Sequence, residues 1–412
     1  MNQMTPCPVL IGADLNCYHV ARAFFEEYGV SSYAFGRYEI GSTKASRFIH
    51  FTTVPDLDSD ESFLCKMKEF AASHSETDGK RILIGCTDDY ANLISRHKEE
   101  LSSSFIIPYN PIGLMDELQT KERFYSLCEK YGIPYPKTVV FRKLSDICTD
   151  ALSEEALGFS YPVIVKPANS VVYWKHPFDG MEKVYCAKTP ERAEEILKTI
   201  FQSGYDDTIL VQDMIPGPDC RMYVLTAYSD SEANVRMMCL GHVLLEEKTP
   251  KGKGNHTAII TEENRELEEK LALLLRELGY VGFSNFDIKY DERDGSFRAF
   301  EINLRQGRSN YYVTASGKNI AKLLVDDYLL HVPFTETDYS AERIFWSYVP
   351  KAVVYRYTKD PLLVKEAKSL CRAKKYHSSL WYGKDFRNNP RRIFYVAAQS
   401  YNQFRKFRKY SD

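Results

Sequence analysis

The chain has 412 residues, long enough for two or three domains with separate cores, and no window approaches the roughly 20 apolar residues of a membrane-spanning helix. Its ten cysteines form no C-x-x-C pair and no metal-ligand spacing, so they read as buried, reduced thiols of a cytoplasmic protein, and residues 1–10 lack a signal-peptide pattern. The formal net charge of −2 conceals opposed halves: residues 351–412 carry 16 basic against 4 acidic side chains, a balance of +12, while residues 1–350 carry −14, which points to an anionic partner for the tail.

Pro8–Ile11 predicts a short buried strand, Gly12–Asn16 the turn after it, and Tyr18–Tyr28 an amphipathic helix. Arg81–Cys86 repeats the pattern, followed by Thr87-Asp88-Asp89 and a helix over Tyr90–Leu101. Strands alternating with helices argue for a parallel α/β sheet, whose ligands gather at the carboxyl ends of strands. Asp14, Asn16, Asp88 and Asp89 fall at such ends. Asp and Asn are also preferred helix N-caps, so a ligand-facing role and a capping role both stand. A helix over Met115–Tyr131 leads to Gly132-Ile133-Pro134-Tyr135-Pro136, whose prolines mark a boundary. A second α/β segment holds strands Thr138–Phe141 and Val163–Lys166, helix Thr189–Phe201 and strand Ile209–Gln212. Strands near Met222–Tyr228 and Arg236–Val243, a polar loop over Glu246–His256 and helix Glu263–Leu278 come next. The turn Asp291–Gly295 then joins two strands that carry Asp287 and Glu301.

The stretch Phe300-Glu301-Ile302-Asn303-Leu304-Arg305 places a carboxylate, an amide and a guanidinium at alternate positions. Side chains two apart on a strand share a face, so these three point one way while Phe300, Ile302 and Leu304 point into a core. A carboxylate and an amide oxygen suit Mg²⁺, and Asp287 offers a second carboxylate from a neighbouring strand. The Arg305 fork suits a carboxylate or phosphate. Lys166 ends an apolar strand and precedes Pro167, and Lys121 lies before the proline boundary. Two lysines reaching one polyphosphate offset its charge without a glycine-rich loop, and the chain has neither a P-loop nor a G-x-G-x-x-G. Gln212-Asp213-Met214-Ile215-Pro216-Gly217-Pro218-Asp219 reads as a hinge whose backbone can pair with an adenine edge and whose Asp219 can accept from ribose hydroxyls.

In this order, Lys121, the V-x-K-P of Lys166, Q-D-x-I-P-G-x-D, Asp287 and E-I-N-x-R resemble the ATP-grasp superfamily of carboxylate–amine ligases. The stretches G-A-D-L-N-x-Y-x-x-A-R, Y-P-V-I-V-K-P-A-N-S, R-M-M-C-L-G-H and F-E-I-N-L-R-Q-G-R-S are similar to bacterial D-aspartate ligases along nearly the whole chain. The resemblance implies an α/β and α+β architecture. A parallel-sheet pre-ATP-grasp domain (1–118) would precede a two-lobed ATP-grasp fold (119–212 and 213–335) and a basic C-terminal extension (336–412). It implies ATP and Mg²⁺ as cofactors, with Lys121 and Lys166 on the phosphates. Gln212, the Ile215 amide and Asp219 would meet the adenosine, and Asp287, Glu301 and Asn303 the metal. Arg305 and Arg308 would face the acyl substrate, and Lys166 counts with them as catalytic. The implied reaction activates D-aspartate as an acyl phosphate and couples it to a lysine side-chain amine of a peptidoglycan precursor. Another acid or amine, or an ATP-binding regulator without catalysis, is the alternative, and the complete set of Asp287, Glu301, Asn303 and Arg305 speaks against the regulator. The loop Glu247–His256 is richer in lysine than the resemblance leads one to expect; Lys251 and Lys253 are either an anion-gripping lid or solvated.

In the tail, apolar residues 393, 394, 397, 401, 404 and 407 approach helical spacing with cations between them. Such a helix either lies at an anionic membrane interface, which would place the protein peripherally at the inner face of the membrane, or docks on the acidic body of the protein. No nucleic-acid motif accompanies the charge, so no nucleic-acid partner is expected.

Overall fold

The structure, a computed structural model, describes residues 5–74, 79–168, 170–250 and 252–411. The chain forms two compact units, one of Met1–Glu117, Pro218–Ile288 and Ile302–Asp412, the other of Leu118–Gly217 and Lys289–Glu301.

The first unit opens with four parallel strands, β1 (Pro6–Ile11), β2 (Ser32–Gly36), β3 (Ile49–Thr53) and β4 (Lys80–Gly85), in the order β3-β2-β1-β4. Every residue of β1 is buried, as an apolar run in a covered parallel strand should be. Asp14 caps the helix Leu15–Tyr28, its Oδ1 accepting from the Cys17 amide at 3.1 Å. Gly12 sits where β1 leaves the sheet at φ 142°, and a Cβ there would lie 2.8 Å from the Cys86 Cβ. This close approach sets the turn carrying Asp14 against the end of β4.

The second unit holds a smaller sheet of β5 (Thr138–Phe141), β6 (Val163–Pro167), β7 (Tyr185–Ala187) and β8 (Ile209–Asp213), ordered β5-β8-β6-β7 with antiparallel pairing. Thr189 caps the helix Pro190–Gln202, which starts with proline at its first turn. Its residues Ala193, Ile196, Leu197 and Ile200 form one apolar stripe, buried in the same core as Val163, Val165 and Val211.

A seven-stranded sheet follows, with β9 (Met222–Ser229), β10 (Val235–Glu246), β11 (His256–Glu262), β12 (Gly282–Asp291), β13 (Ser296–Asn303), β14 (Phe345–Ser347) and β15 (Tyr376–Ser378). Its order is β13-β12-β9-β10-β11-β14-β15. The mixture of a parallel sheet with largely antiparallel ones is the α/β and α+β class expected from the sequence.

Three local expectations change. The helix over Met115–Tyr131 is two helices, Ile112–Gln119 and Lys121–Lys130, because Thr120 takes an extended, cap-like backbone (φ −76°, ψ 124°). Lys121 is therefore the first residue of a helix. Thr87 caps the helix Asp88–Arg96, leaving Asp88 and Asp89 in its first turn, so neither is the cap. Cys17, Cys86, Cys128, Cys220 and Cys239 are buried thiols as expected, but Cys65, Cys148 and Cys186 are exposed.

The basic tail forms the helix Pro390–Tyr410, docked on the first unit through Arg392, Val396, Gln403 and Phe407. Arg392 and Asp385 form an ion pair at 2.8 Å with both side chains fully buried. Asp385 also accepts from the Tyr18 hydroxyl at 3.1 Å, the Ser46 hydroxyl at 3.0 Å and the Arg47 amide at 2.9 Å. Removing one member of such a network strands the other charge in the interior. Asp385→Ala is expected to lower stability by about 3–5 kcal/mol, while Arg37→Ala, which breaks an exposed pair, costs less than about 1 kcal/mol; urea midpoints of the two variants check the contrast.

Candidate active site

In the second unit, Lys121 and Lys166 converge on one carboxylate. Lys121 reaches Glu301 with Nζ 3.8 Å from Oε1, and Lys166 sits with Nζ 5.9 Å from the Phe300 ring centre. Burial, with the Lys121 charge adding to it against the pull of Glu301, lowers the Lys166 pKa to about 7. Two clustered lysines facing one carboxylate leave surplus positive charge, which favours an anion. Gln212 and Ile215 lie in the same unit. Gln212 donates through Nε2 to the Tyr125 hydroxyl at 2.7 Å and the Thr138 hydroxyl at 2.8 Å, so its amide braces the sheet. The Ile215 carbonyl accepts from Lys289 Nζ at 2.8 Å, as does the Gly217 carbonyl at 3.0 Å. Lys289, which sequence reasoning passed over, thus ties down the peptide of the hinge.

In the first unit, Asp287 and Asn303 meet with Nδ2 of the amide 3.2 Å from Oδ2 of the carboxylate. The carboxylate accepts from the NH₂ end of the amide, and turning the amide over would present its oxygen instead. Next to them lie Glu246 and His256, which sequence reasoning placed in a loop. They are instead the last residue of β10 and the first of β11. His256 Nε2 lies 3.5 Å from Glu246 Oε1 and 3.9 Å from Asp287 Oδ1. Both Nε2 and Oε1 are buried without a hydrogen-bond partner. Burial lowers the His256 pKa, keeping the ring neutral, and burial with Asp219 and Asp287 nearby raises that of Glu246. The one signal that could have found His256 is the apolar, β-branched run Thr-Ala-Ile-Ile-Thr that follows it, which reads as a buried strand. Asp219 is engaged through Oδ2 by the Glu246 amide at 3.1 Å and by Lys248.

The arginines complete this unit's polar cluster. Arg305 lies just past β13 and donates to Asp88 Oδ2 at 2.8 Å and Asn303 Oδ1 at 3.4 Å. Arg308 stands over the Tyr348 ring at 5.1 Å, with Nη2 3.9 Å from Glu247 Oε2. Glu247 accepts from Lys406 of the C-terminal helix at 3.0 Å and from the Thr249 hydroxyl at 2.9 Å. Lys253 is exposed, and Lys251 lies outside the described residues. The segment Arg305–Asn310 is clamped to the turn after β1. Asn16 donates to the Gln306 carbonyl at 3.1 Å and the Cys86 carbonyl at 2.9 Å, and accepts from Asn310 at 2.7 Å. His19 Nδ1 lies 3.1 Å from the Arg308 carbonyl. Gly307 fits against Asn285 only because it has no Cβ, which would fall 2.3 Å from Asn285 Oδ1.

Comparison with known proteins places the chain in a family. The chain is 38% identical over 408 residues to D-aspartate ligase of Enterococcus faecium (strain Aus0004), covering 98% of this chain and 96% of that protein. The chain belongs to the D-aspartate ligase family. Members of this family are ATP-dependent amino-acid ligases with the ATP-grasp fold, and so is this protein. Solved structures agree on the fold. L-amino acid ligase from Bacillus licheniformis superposes with a TM-score of 0.54 at 15% identity, covering 79% of this chain and 75% of that one. The biotin carboxylase domain of Hydrogenobacter thermophilus 2-oxoglutarate carboxylase, solved with MgADP and bicarbonate, gives 0.58 at 13% identity, covering 82% and 73%. No protein-family profile matches the chain.

The depressed Lys166 pKa sets a pH dependence. An ammonium attracts phosphate only while charged, and that of Lys166 loses its proton as pH rises through about 7. ATP affinity, measured by titration calorimetry, is expected to weaken between about pH 7 and 9, by no more than about tenfold per pH unit for a single proton. Lys166→Arg, charged throughout, is expected to flatten the profile. A wild-type profile already flat would show that Lys166 does not meet the phosphates.

Proposed function

We propose that the protein activates the β-carboxylate of D-aspartate as an acyl phosphate and joins it to the side-chain amine of a lysine in a peptidoglycan stem-peptide precursor, releasing ADP and phosphate. The observation that carries this reading is the near full-length identity to a D-aspartate ligase. ATP and Mg²⁺ are the cofactors, and bound Mg²⁺ neutralises charge on the transferring phosphoryl group. The donors suit that ion. Mg²⁺ takes one or two protein carboxylates and leaves its other positions to water and phosphate. Among the described residues no three His, Cys, Asp or Glu side chains close into a metal cage, so a nucleotide-borne ion fits better than a structural one. In the first unit Asp287 and Asn303 would hold it, with the orphaned Glu246 oxygen adding to the demand for a cation there, and Glu301 is the carboxylate that the second unit offers.

In this reading Lys121 and Lys166 grip the phosphates and steady the γ-phosphoryl group for attack by the substrate carboxylate. Arg305 orients that carboxylate and then the oxyanion formed as the amine attacks the acyl phosphate. Arg308 holds the second carboxylate of the same substrate. Gln212, Ile215 and Asp219 belong to the adenosine side, Gln212 as a brace for β8 and Asp219 through its remaining oxygen. An ATP-grasp ligase for a different amino acid or amine is the alternative, decided by the product.

The tail supplies a second contact. Opposite its docked face, the helix Pro390–Tyr410 exposes Ile393, Phe394, Tyr401 and Phe404, and Trp381 is exposed beside it with Nε1 on the Ser400 hydroxyl at 3.0 Å. Arg391, Arg405, Arg408 and Lys409 flank them, all exposed. Aromatic and basic side chains on one solvent-facing strip match an anionic bilayer surface. Among the described residues no helix is long and apolar enough to cross a membrane, so the contact would be peripheral.

Two experiments test these assignments. The protein is incubated with Mg-ATP, a muramyl-pentapeptide precursor and a panel of D- and L-amino acids, and products are weighed by mass spectrometry. A D-aspartyl adduct is expected, and Asp287→Ala or Glu301→Ala is expected to cut its formation by about 10³-fold or more with an unchanged thermal melt. Wild-type turnover with some other acid would replace D-aspartate in the reading. For the tail, sedimentation with phosphatidylglycerol vesicles is expected to pellet the wild type and to lose the Phe394→Ala/Tyr401→Ala/Arg405→Glu variant. Equal pelleting, or none by the wild type, removes the membrane contact.

A further inference from the structure

We infer that Asp14 receives the ammonium group of the amino-acid substrate, so that Asp14, Arg305 and Arg308 together read a zwitterion with two carboxylates. The inference rests on the ligase reading above and adds to it the residue that distinguishes an amino acid from a plain dicarboxylic acid.

Arg305 satisfies Asp88, Asn303 and the Gln306 carbonyl, yet its Nε is buried without a partner. Arg308 likewise leaves Nη1 buried and unpaired. A buried guanidinium nitrogen without an acceptor is costly, and two of them on neighbouring residues mark places for ligand oxygens. Asp14 feels both guanidinium charges, yet forms no ion pair with either. Its carboxylate is met by backbone amides of its own turn, those of Cys17 and Asn16. The other acids in the cluster are already engaged. Asp88 is held by Arg305 at 2.8 Å, and Glu247 by Lys406 at 3.0 Å. Asp14 is thus the carboxylate left to meet an ammonium.

The placement is rigid. Asn16, two residues on, is buried and bonded to Gln306, Asn310 and Cys86, so the turn carrying Asp14 and the segment carrying both arginines move as one piece. This is the carboxyl end of the parallel strands, where ligands of α/β sheets bind. Capping the helix Leu15–Tyr28 explains one oxygen of Asp14 but not why an acid within the field of two arginines pairs with neither.

Asp14→Asn separates capping from charge, because Asn caps a helix as well as Asp does and removes only the charge. In phosphate-release assays with saturating Mg-ATP and acceptor, using D-aspartate or whichever amino acid the wild type turns over, the variant is expected to raise KM for the amino acid about 10- to 100-fold. KM for ATP and the thermal midpoint should stay where they are. Succinate, which is aspartate without its ammonium, is expected to compete no worse against the variant than against the wild type. An unchanged amino-acid KM in Asp14→Asn overturns the inference, as does an equal loss of affinity for succinate and the amino acid. Should Asp14→Asn melt early, Asp14→Ser keeps a capping oxygen and gives the same readout. Failure of the wild type to release phosphate with any amino acid would defeat the ligase reading itself, a result distinct from either Asp14 outcome.

Discussion

A guanidinium taken out of water must be met by oxygen, and the Arg305 side chain imposes that demand on the first unit. It lies past the end of β13, with Asp88 from the end of β4 on one nitrogen and Asn303 on the same fork. Asp14 and Asp287 contribute to its field from the turn after β1 and from β12. These partners come from four separate stretches of chain. They can meet only if the parallel sheet and the seven-stranded sheet present their ends in register, which the Asn16 clamp and the bare Cα of Gly307 allow. The fold of the unit and the placement of its candidate substrate residues are therefore one problem. A change that loosens the clamp leaves a buried charge short of partners as well as a site out of shape.

The C-terminal segment is part of the same structure, despite a composition that suggests an appendage. Arg392 and Asp385 are fully buried, and Phe407 and Val396 enter two different cores. Lys406 reaches Glu247, which in turn lies beside Arg308. Coulomb attraction from Lys406 and Arg308, against the opposing effect of burial, keeps the Glu247 carboxyl below its ordinary range, so it stays ionised. The positive tail thus helps to hold the charge of Glu247. One helix serves two purposes on two faces, docking through the stripe that holds Val396 and Phe407 and presenting aromatics and arginines on the other.

What could be read from the sequence follows from how local each cause is. Period-two alternation through Glu301, Asn303 and Arg305 needs only a strand, and β13 provides it as far as Asn303; Arg305 lies beyond it and reaches Asn303 by the length of its own side chain. The apolar runs of β1 and β4 and the stripe of the helix Pro190–Gln202 are likewise local patterns. The short strands β7, β14 and β15 hold three residues each, too few to show a period, and exist because neighbours pair with them. The break at Thr120 and the transfer of the cap from Asp88 or Asp89 to Thr87 each turn on one residue's backbone, which composition does not record. Glu246 and His256 escaped notice because their significance is spatial. They flank a lysine-rich loop in sequence, and only the pairing of β10 with β11 sets them opposite each other near Asp287.

Charge balance gives the strongest physical reason to expect two kinds of ligand. In the second unit, Lys121, Lys166 and Lys183 act on one another with Glu301 as the opposing charge, and Lys166 responds by giving up its proton near neutrality. In the first unit, Asp219, Glu246 and Asp287 crowd around a neutral His256 with Lys248 as their cation, and Glu246 responds by holding its proton more tightly. Burial is the larger cause of both shifts, and the like charges add to it. Under the proposed function a polyphosphate would offset the charge of the first cluster and a divalent cation that of the second. Neither cluster would be tolerated as a purely structural feature, because hydrophobic packing would stabilise the same positions without the repulsion. Surplus charge of opposite sign in each unit is what the triphosphate of ATP and the Mg²⁺ ion, taken separately, would offset.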